Sequence, residues 1–241
     1  MDLWDALYFA YSHIVCDNRA MAYNPNHLTE REIRDALLHR LLQSTPTPGV
    51  LIEELGVGPA RVDVAAAGVL LSGYEIKSDF DTLDRLARQM HAYHEVFDLL
   101  TIVTTEAYVD QVEALLPKWW GILVAARQPD GVVLTERRPS MPHNRQIPEA
   151  LAAMLWRDDA YEFALELLGP VVKARATRGD LQEIIAKHIP LEIIRQKVLD
   201  SLIGRQDLKA RSHSPTQNRA NRERKVVVRR IPAPSHEIAG W

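Results

Sequence analysis

The 241-residue sequence predicts an α/β layer fold followed by a helical appendage. Two observations carry this. The spacing of apolar residues switches repeatedly between helical and strand periods along residues 29–126, and the switches fall in the order helix, three strands, helix, strand, helix, strand. Beyond Pro129 the strand signals stop and prolines precede two long helical stretches.

Residues 1–28 form an aromatic-rich packing segment, with Trp4, Tyr8, Phe9 and Tyr11 at mixed helical spacings before the turn-like Asn24-Pro25-Asn26. Thr29 precedes Glu30-Arg31-Glu32, the cap and acidic first turn of a helix whose Ile33, Leu37 and Leu41 recur every four residues. From Val50 the period shortens. Val50-Leu51-Ile52 and Arg61 to Ala65 read as two strands separated by Gly56, Gly58 and Pro59, and Val69 to Lys77 as a third. Strand alternation places Tyr74 and Ile76 on one face of that third strand, and Glu75 and Lys77 on the other.

Asp81 or Thr82 is expected to cap a second helix carrying Leu83, Leu86, Met90, Tyr93 and Phe97 on one face. Leu99 to Thr104 reads as a buried strand, 109–116 as a short helix closed by Pro117, and Trp120 to Ala126 as the last strand. The expected organisation is therefore a core over 29–128, a helical appendage over 129–204 with helices at 149–168 and 180–203, and a basic, flexible tail over 205–241. Residues 205–230 hold nine Lys or Arg against Asp207 and Glu223.

Composition restricts the function classes. With 46% hydrophobic and 25% charged residues the chain can bury a substantial core. A formal net charge of −3 gives no whole-molecule attraction to a polyanion, so any nucleic-acid binding rests on local patches. Cys16 is the only cysteine and no zinc-finger spacing occurs, which fits a reducing interior. Acids near the N-terminus and the lack of an apolar run of about 20 residues favour a cytoplasmic protein with no membrane partner. His91 and His94, the one histidine pair at close helical spacing, read as helix surface. No phosphate-cradling glycine loop or serine nucleophile elbow is present.

The pattern that carries chemistry is Asp63 followed by Glu75-Ile76-Lys77. On neighbouring strands, two carboxylates can hold Mg²⁺ or Mn²⁺, hard cations that polarise a phosphoryl oxygen and activate water. A lysine beside them can orient the water or stabilise developing negative charge. The bland alternative is a solvated strand face. Its embedding among Val, Leu, Tyr and Ile in a sheet covered on both sides argues against that.

In this order the residues resemble the PD-(D/E)XK nucleases, over roughly residues 29–126. The resemblance implies a restriction-endonuclease-like core, with Asp63, Glu75 and Lys77 as catalytic residues. Val62 stands where the name-giving proline would be. Thr29-Glu30-Arg31-Glu32-Ile33 is similar to the first helix of archaeal Holliday-junction resolvases, which implies Glu30 as a further metal ligand beside Asp63 and Glu75; Glu30 equally suits a helix N-terminus as an acid. Gln89 to Tyr93 is similar to the Q-x-x-x-Y motif of RecB-like nucleases. Being i and i+4, these two share a helix face and can contact a phosphate, a base or the lysine, although Tyr93 also belongs to the apolar stripe.

Glu53 and Glu54 are alternative carboxylates, ranked below Glu30, and alternation allows at most one of them to face the site. Arg61, Ser78 and Asp79 flank the motif. Arg61 and Ser78 are candidate nucleic-acid contacts, with structural pairing the plainer role for all three. The expectation is a Mg²⁺- or Mn²⁺-dependent nuclease acting on DNA in repair, recombination or phage defence. Its rival is a catalytically inactive nucleic-acid-binding or scaffold protein of the same fold. The basic stretch Arg219 to Arg230 suits a DNA backbone, and the C-terminal helices suit a homodimer or partner contact.

Overall fold

A computed structural model describes residues 27–44, 49–211 and 228–231, with side chains over 27–43 and 49–204. The expected N-terminal packing helix and most of the basic tail lie outside the described residues. In chain order the elements are α1 (Glu30–Ser44), β1 (Gly49–Val57), β2 (Ala60–Ala67), β3 (Leu71–Lys77), α2 (Leu86–His94), β4 (Leu99–Thr105), α3 (Val109–Leu115), β5 (Gly121–Gln128) and β6 (Gly131–Arg138). Four helices follow, α4 (Pro148–Met154), α5 (Arg157–Leu168), α6 (Arg178–His188) and α7 (Leu191–Arg211), then β7 (Val228–Ile231).

The protein is α/β, built on one mixed sheet in the order β6-β5-β4-β3-β2-β1-β7. Strands β1, β2 and β3 form an antiparallel meander, while β3, β4 and β5 run parallel. The parallel pairs need crossovers, which α2 and α3 supply. Alternation along β1 divides the core: Val50 and Ile52 enter one hydrophobic cluster and Leu51 the other. On one face α1 packs Ile33, Leu37, Leu38 and Leu41 against Val64, Ile76 and Val103. On the other face α2 and α3 pack together with α4 to α7. The helices following Pro129 are thus integral to the sheet's second layer, rather than a separate appendage. A buried Asp98 ties them in: its carboxylate accepts from Leu71 N at 2.7 Å and Gln146 Nε2 at 2.9 Å, and pairs with Arg195 at 3.2 Å.

Capping at α1 follows the sequence, with Thr29 N donating to Glu32 Oε2 at 2.9 Å and Glu32 N to Thr29 Oγ1 at 3.4 Å. Elsewhere the chain departs from expectation. β6 is an additional strand after Trp120–Ala126; its mostly exposed side chains leave little apolar alternation to read. Asp81 and Thr82 do not cap α2, because Asp81 Oδ2 is taken up by the Ser78 N–H and hydroxyl at 2.8 and 2.6 Å, and the helix starts at Leu86. Pro190 splits the 180–203 stretch into α6 and α7, and Leu155-Trp156 splits 149–168. The basic tail also contributes regular structure, as the end of α7 and as β7 against β1. No helix among the described residues is long and apolar enough to cross a membrane.

His94 is core rather than helix surface, accepting from Trp120 Nε1 at 2.9 Å, while His91 is exposed beside Glu95. The Trp119 ring lies 4.6 Å from the His94 ring and 3.9 Å from that of His143, centroid to centroid. Burial is the main cause that holds His94 down to about 3 and His143 to about 4. Both rings stay neutral in the folded protein where an unfolded histidine, with its ordinary value of 6.5, takes a proton. The unfolded state then binds more protons as pH falls, so their contribution to stability declines from about pH 6.5 towards pH 4. Urea unfolding is expected to show a lower midpoint at pH 5 than at pH 7, with the difference reduced in His143→Phe.

Candidate active site

Hydrogen bonding between β2 and β3 ends at the pair Val64 and Tyr74. Beyond it the Asp63 side chain replaces the backbone, its Oδ2 accepting from Ile76 N at 2.7 Å. The strands part here, and the polar residues gather around the opening. Glu54, which the β1–β2 register skips between the pairs Glu53–Val64 and Leu55–Val62, is the one non-glycine among the described residues with positive φ, at 59°. A left-handed residue inside a strand is strained, and such positions persist where surrounding contacts enforce them.

Those contacts come from Arg34 on α1. Its guanidinium bonds Glu30 one turn back, Glu54 Oε1 at 2.7 Å, the Asp63 carbonyl at 2.8 Å and Asp63 Oδ1 at 3.3 Å, and Glu53 Oε2 lies 3.9 Å away. Arg61 closes the far side, its Nε 2.6 Å from Glu54 Oε2. Carboxylate oxygens of Glu30, Glu54 and Asp63 lie within 4.8 Å of one another. Alternation allowed only one of Glu53 and Glu54 to face this place; the left-handed turn at Glu54 breaks the pleat, and both reach Arg34.

Glu75 stands outside that cluster. Its Oε1 accepts from Lys77 Nζ at 2.8 Å and Gln89 Nε2 at 2.8 Å, and its Oε2 lies 2.9 Å from the Tyr93 hydroxyl. Tyr93 is also 2.7 Å from the Arg61 carbonyl. The Q-x-x-x-Y pair therefore grips the E-x-K carboxylate, as the i, i+4 spacing permits. With Tyr93 wholly buried, this contact replaces the expected contact with nucleic acid. Burial, then the nearby Glu75, pushes the Tyr93 hydroxyl above its usual range, which keeps it a protonated donor.

Asp63 is pushed up to about 8, first by burial and then by repulsion from Glu75, against the opposing Ile76 N–H, Arg34 and Lys77. A carboxyl in that state has less positive charge around it than its ionised form needs. Ser78 is buried and committed to Asp81, so it is a turn residue and not a surface contact. Asp79 is likewise structural: its oxygens accept from Leu28 N at 2.7 Å and Thr105 Oγ1 at 2.6 Å.

The residue of this cluster that sequence reasoning missed is Arg34. Its signal was present in the i, i+4 pair Glu30 and Arg34, the ordinary spacing of a helix ion pair. Arg34→Met is expected to lower the unfolding free energy in EDTA by about 2 kcal/mol, because partly buried carboxylates lose their counter-charge. Arg34→Lys restores only part, since an ammonium cannot fork between several acceptors. Urea titration at pH 7.5 checks both.

A family model described as bacteriophage P4 protein cII matches residues 24–228. Protein cII of Enterobacteria phage P4 is 34% identical over 88 residues, a match spanning 35% of this chain and 33% of that protein. Among solved structures, the SPO1766 protein of unknown function from Silicibacter pomeroyi is similar at 19% identity, with 65% of this chain and 100% of that chain covered and a TM-score of 0.34.

Proposed function

The chain belongs to the bacteriophage P4 protein cII family, and for this member we propose metal-dependent hydrolysis of DNA phosphodiesters by a PD-(D/E)XK type of site. One observation carries the reading: three carboxylates, Glu30, Glu54 and Asp63, converge within 4.8 Å where β2 and β3 part, beside the Glu75–Lys77 pair on β3. The order of helix, three-strand meander, helix, strand, helix, strand supports a restriction-endonuclease-like core.

The donor set fits a hard divalent cation, since every ligand atom is a carboxylate oxygen and Asp63 is under-compensated. Glu30, Glu54 and Asp63 would hold Mg²⁺ or Mn²⁺, which when bound supplies Lewis acidity towards the phosphodiester and its attacking water. The chain's own groups do the rest. Lys77 presents its ammonium to the attacking water and to the charge that develops on the phosphoryl oxygens. Glu75 is a positioning residue in this scheme, fixing Lys77 while Gln89 and Tyr93 fix Glu75. Glu54 takes the ligand place that the sequence order implied for Glu75.

With DNA oligonucleotides and Mg²⁺ or Mn²⁺, Lys77→Ala is expected to slow cleavage about 10²- to 10³-fold, in protein that is less stable than wild type, since Glu75 loses its buried counter-charge, but still folded by circular dichroism at the assay temperature. Asp63→Asn is expected to abolish cleavage. Wild-type rates in either variant would sink the reading. One observation favours a second reading, a nuclease-fold scaffold without catalysis: Arg34 already bonds all three clustered carboxylates. Calorimetry with Mn²⁺ separates the two, because a scaffold stapled by Arg34 takes up no metal.

A further inference from the structure

The connection after β3 carries one feature that the hydrolytic scheme does not use. Phe80 is 61% exposed, although the residues on either side of it are held fast. Asp79 is buried, its N donating to the Leu28 carbonyl at 3.3 Å and its carboxylate accepting from Leu28 N at 2.7 Å and Thr105 Oγ1 at 2.6 Å. Phe80 N donates to Ser78 Oγ at 3.3 Å, and the Asp81 carbonyl accepts from the Tyr108 hydroxyl at 2.5 Å. The ring lies edge to face with that of His27, with centroids 5.7 Å apart at 80°. An aromatic side chain on a pinned backbone loses little freedom on binding, which is how stacking platforms gain affinity.

Its place in the fold puts the ring beside the proposed site. The backbone pairing of Asp79 with Leu28 joins two segments that both run into that site: Lys77 is two residues before Asp79, and Glu30 two residues after Leu28. Phe80 also follows the carboxyl end of β3, on the side of a parallel sheet where ligands bind. The residues next to it in sequence, Asp79 and Asp81, and the His27 ring against it are polar, which suits a nucleotide better than an apolar protein surface. Arg85 and Arg88, both exposed, follow on the same connection and in the first turn of α2, beside the exposed Asp84, and each can contact a phosphate.

We propose that Phe80 is a base-stacking residue, and that the site it serves takes DNA with unpaired nucleotides next to the bond to be cut. A duplex has no free base face at its side, whereas an unpaired base offers one whatever its sequence. This assignment rests on the nuclease reading for its meaning, but its test separates the two.

Binding is measured by fluorescence anisotropy without divalent metal, using the full chain, a labelled oligo-dT strand and a labelled, fully paired blunt duplex of the same length annealed from two strands. Phe80→Ala is expected to weaken oligo-dT binding about tenfold and leave blunt-duplex binding within twofold, while Phe80→Trp retains wild-type affinity for both. Equal oligo-dT affinity in Phe80→Ala and wild type overturns the proposal, as does an equal loss on both DNAs. Cleavage of the same strands with Mg²⁺ is run in parallel. Phe80-dependent binding without cleavage leaves stacking in place and removes hydrolysis; cleavage of single strands unaffected by Phe80→Ala removes stacking alone. Thermal unfolding confirms that Phe80→Ala retains the fold.

Discussion

The separation of β2 from β3 at Asp63 is the constraint on which the site depends. A sheet normally satisfies its N–H groups strand to strand, and a break leaves donors that must be met some other way. Here the Asp63 carboxylate meets one, the Ile76 N–H, and in doing so becomes fixed between α1 on one side and β3 on the other. The substitution of a side chain for a backbone carbonyl opens the sheet and charges the opening in one step.

Charge then decides the local conformation. Glu54 and Asp63 lie where the β1–β2 pairing skips a position, between the pairs Glu53–Val64 and Leu55–Val62, and their carboxylate oxygens come within 4.8 Å, an arrangement that like charges disfavour. Arg34 reverses the sign of that contact and adds Glu30 from its own helix. The left-handed backbone at Glu54 is held by bonds at both carboxylate oxygens, from Arg34 and Arg61. Two layers of support result. Arg34 organises the carboxylates on the α1 side, while Gln89 and Tyr93 organise Glu75 and Lys77 on the α2 side.

Much of this was legible in the sequence, for reasons that can be named. The stripe Ile33, Leu37, Leu41 and the cap at Thr29 specify α1 locally, and β-branched runs specify β2 and β4. Alternation put Glu75 and Lys77 on one face, and the i, i+4 rule put Gln89 beside Tyr93. What escaped was non-local or broke a period. β6 pairs through its backbone while most of its side chains face solvent. β7 owes its place to the β1 edge. Glu54 leaves the strand conformation that alternation assumes, so its entry into the carboxylate cluster could not be counted along the chain. His94 looked like surface because the tryptophans that bury it come from beyond the next strand.

The pairing of β7 with β1 bears on how the chain can be shortened. Residues Val228–Ile231 lie along Gly49–Ile52, the outer side of the strand that leads to Glu53 and Glu54. A truncation designed to remove positive charge from the C-terminal region also strips away this strand, leaving β1 with a row of unmatched donors and acceptors open to other chains. Charge reversal at individual basic residues keeps the border of the sheet closed, and so separates electrostatics from self-association in a way that deletion cannot.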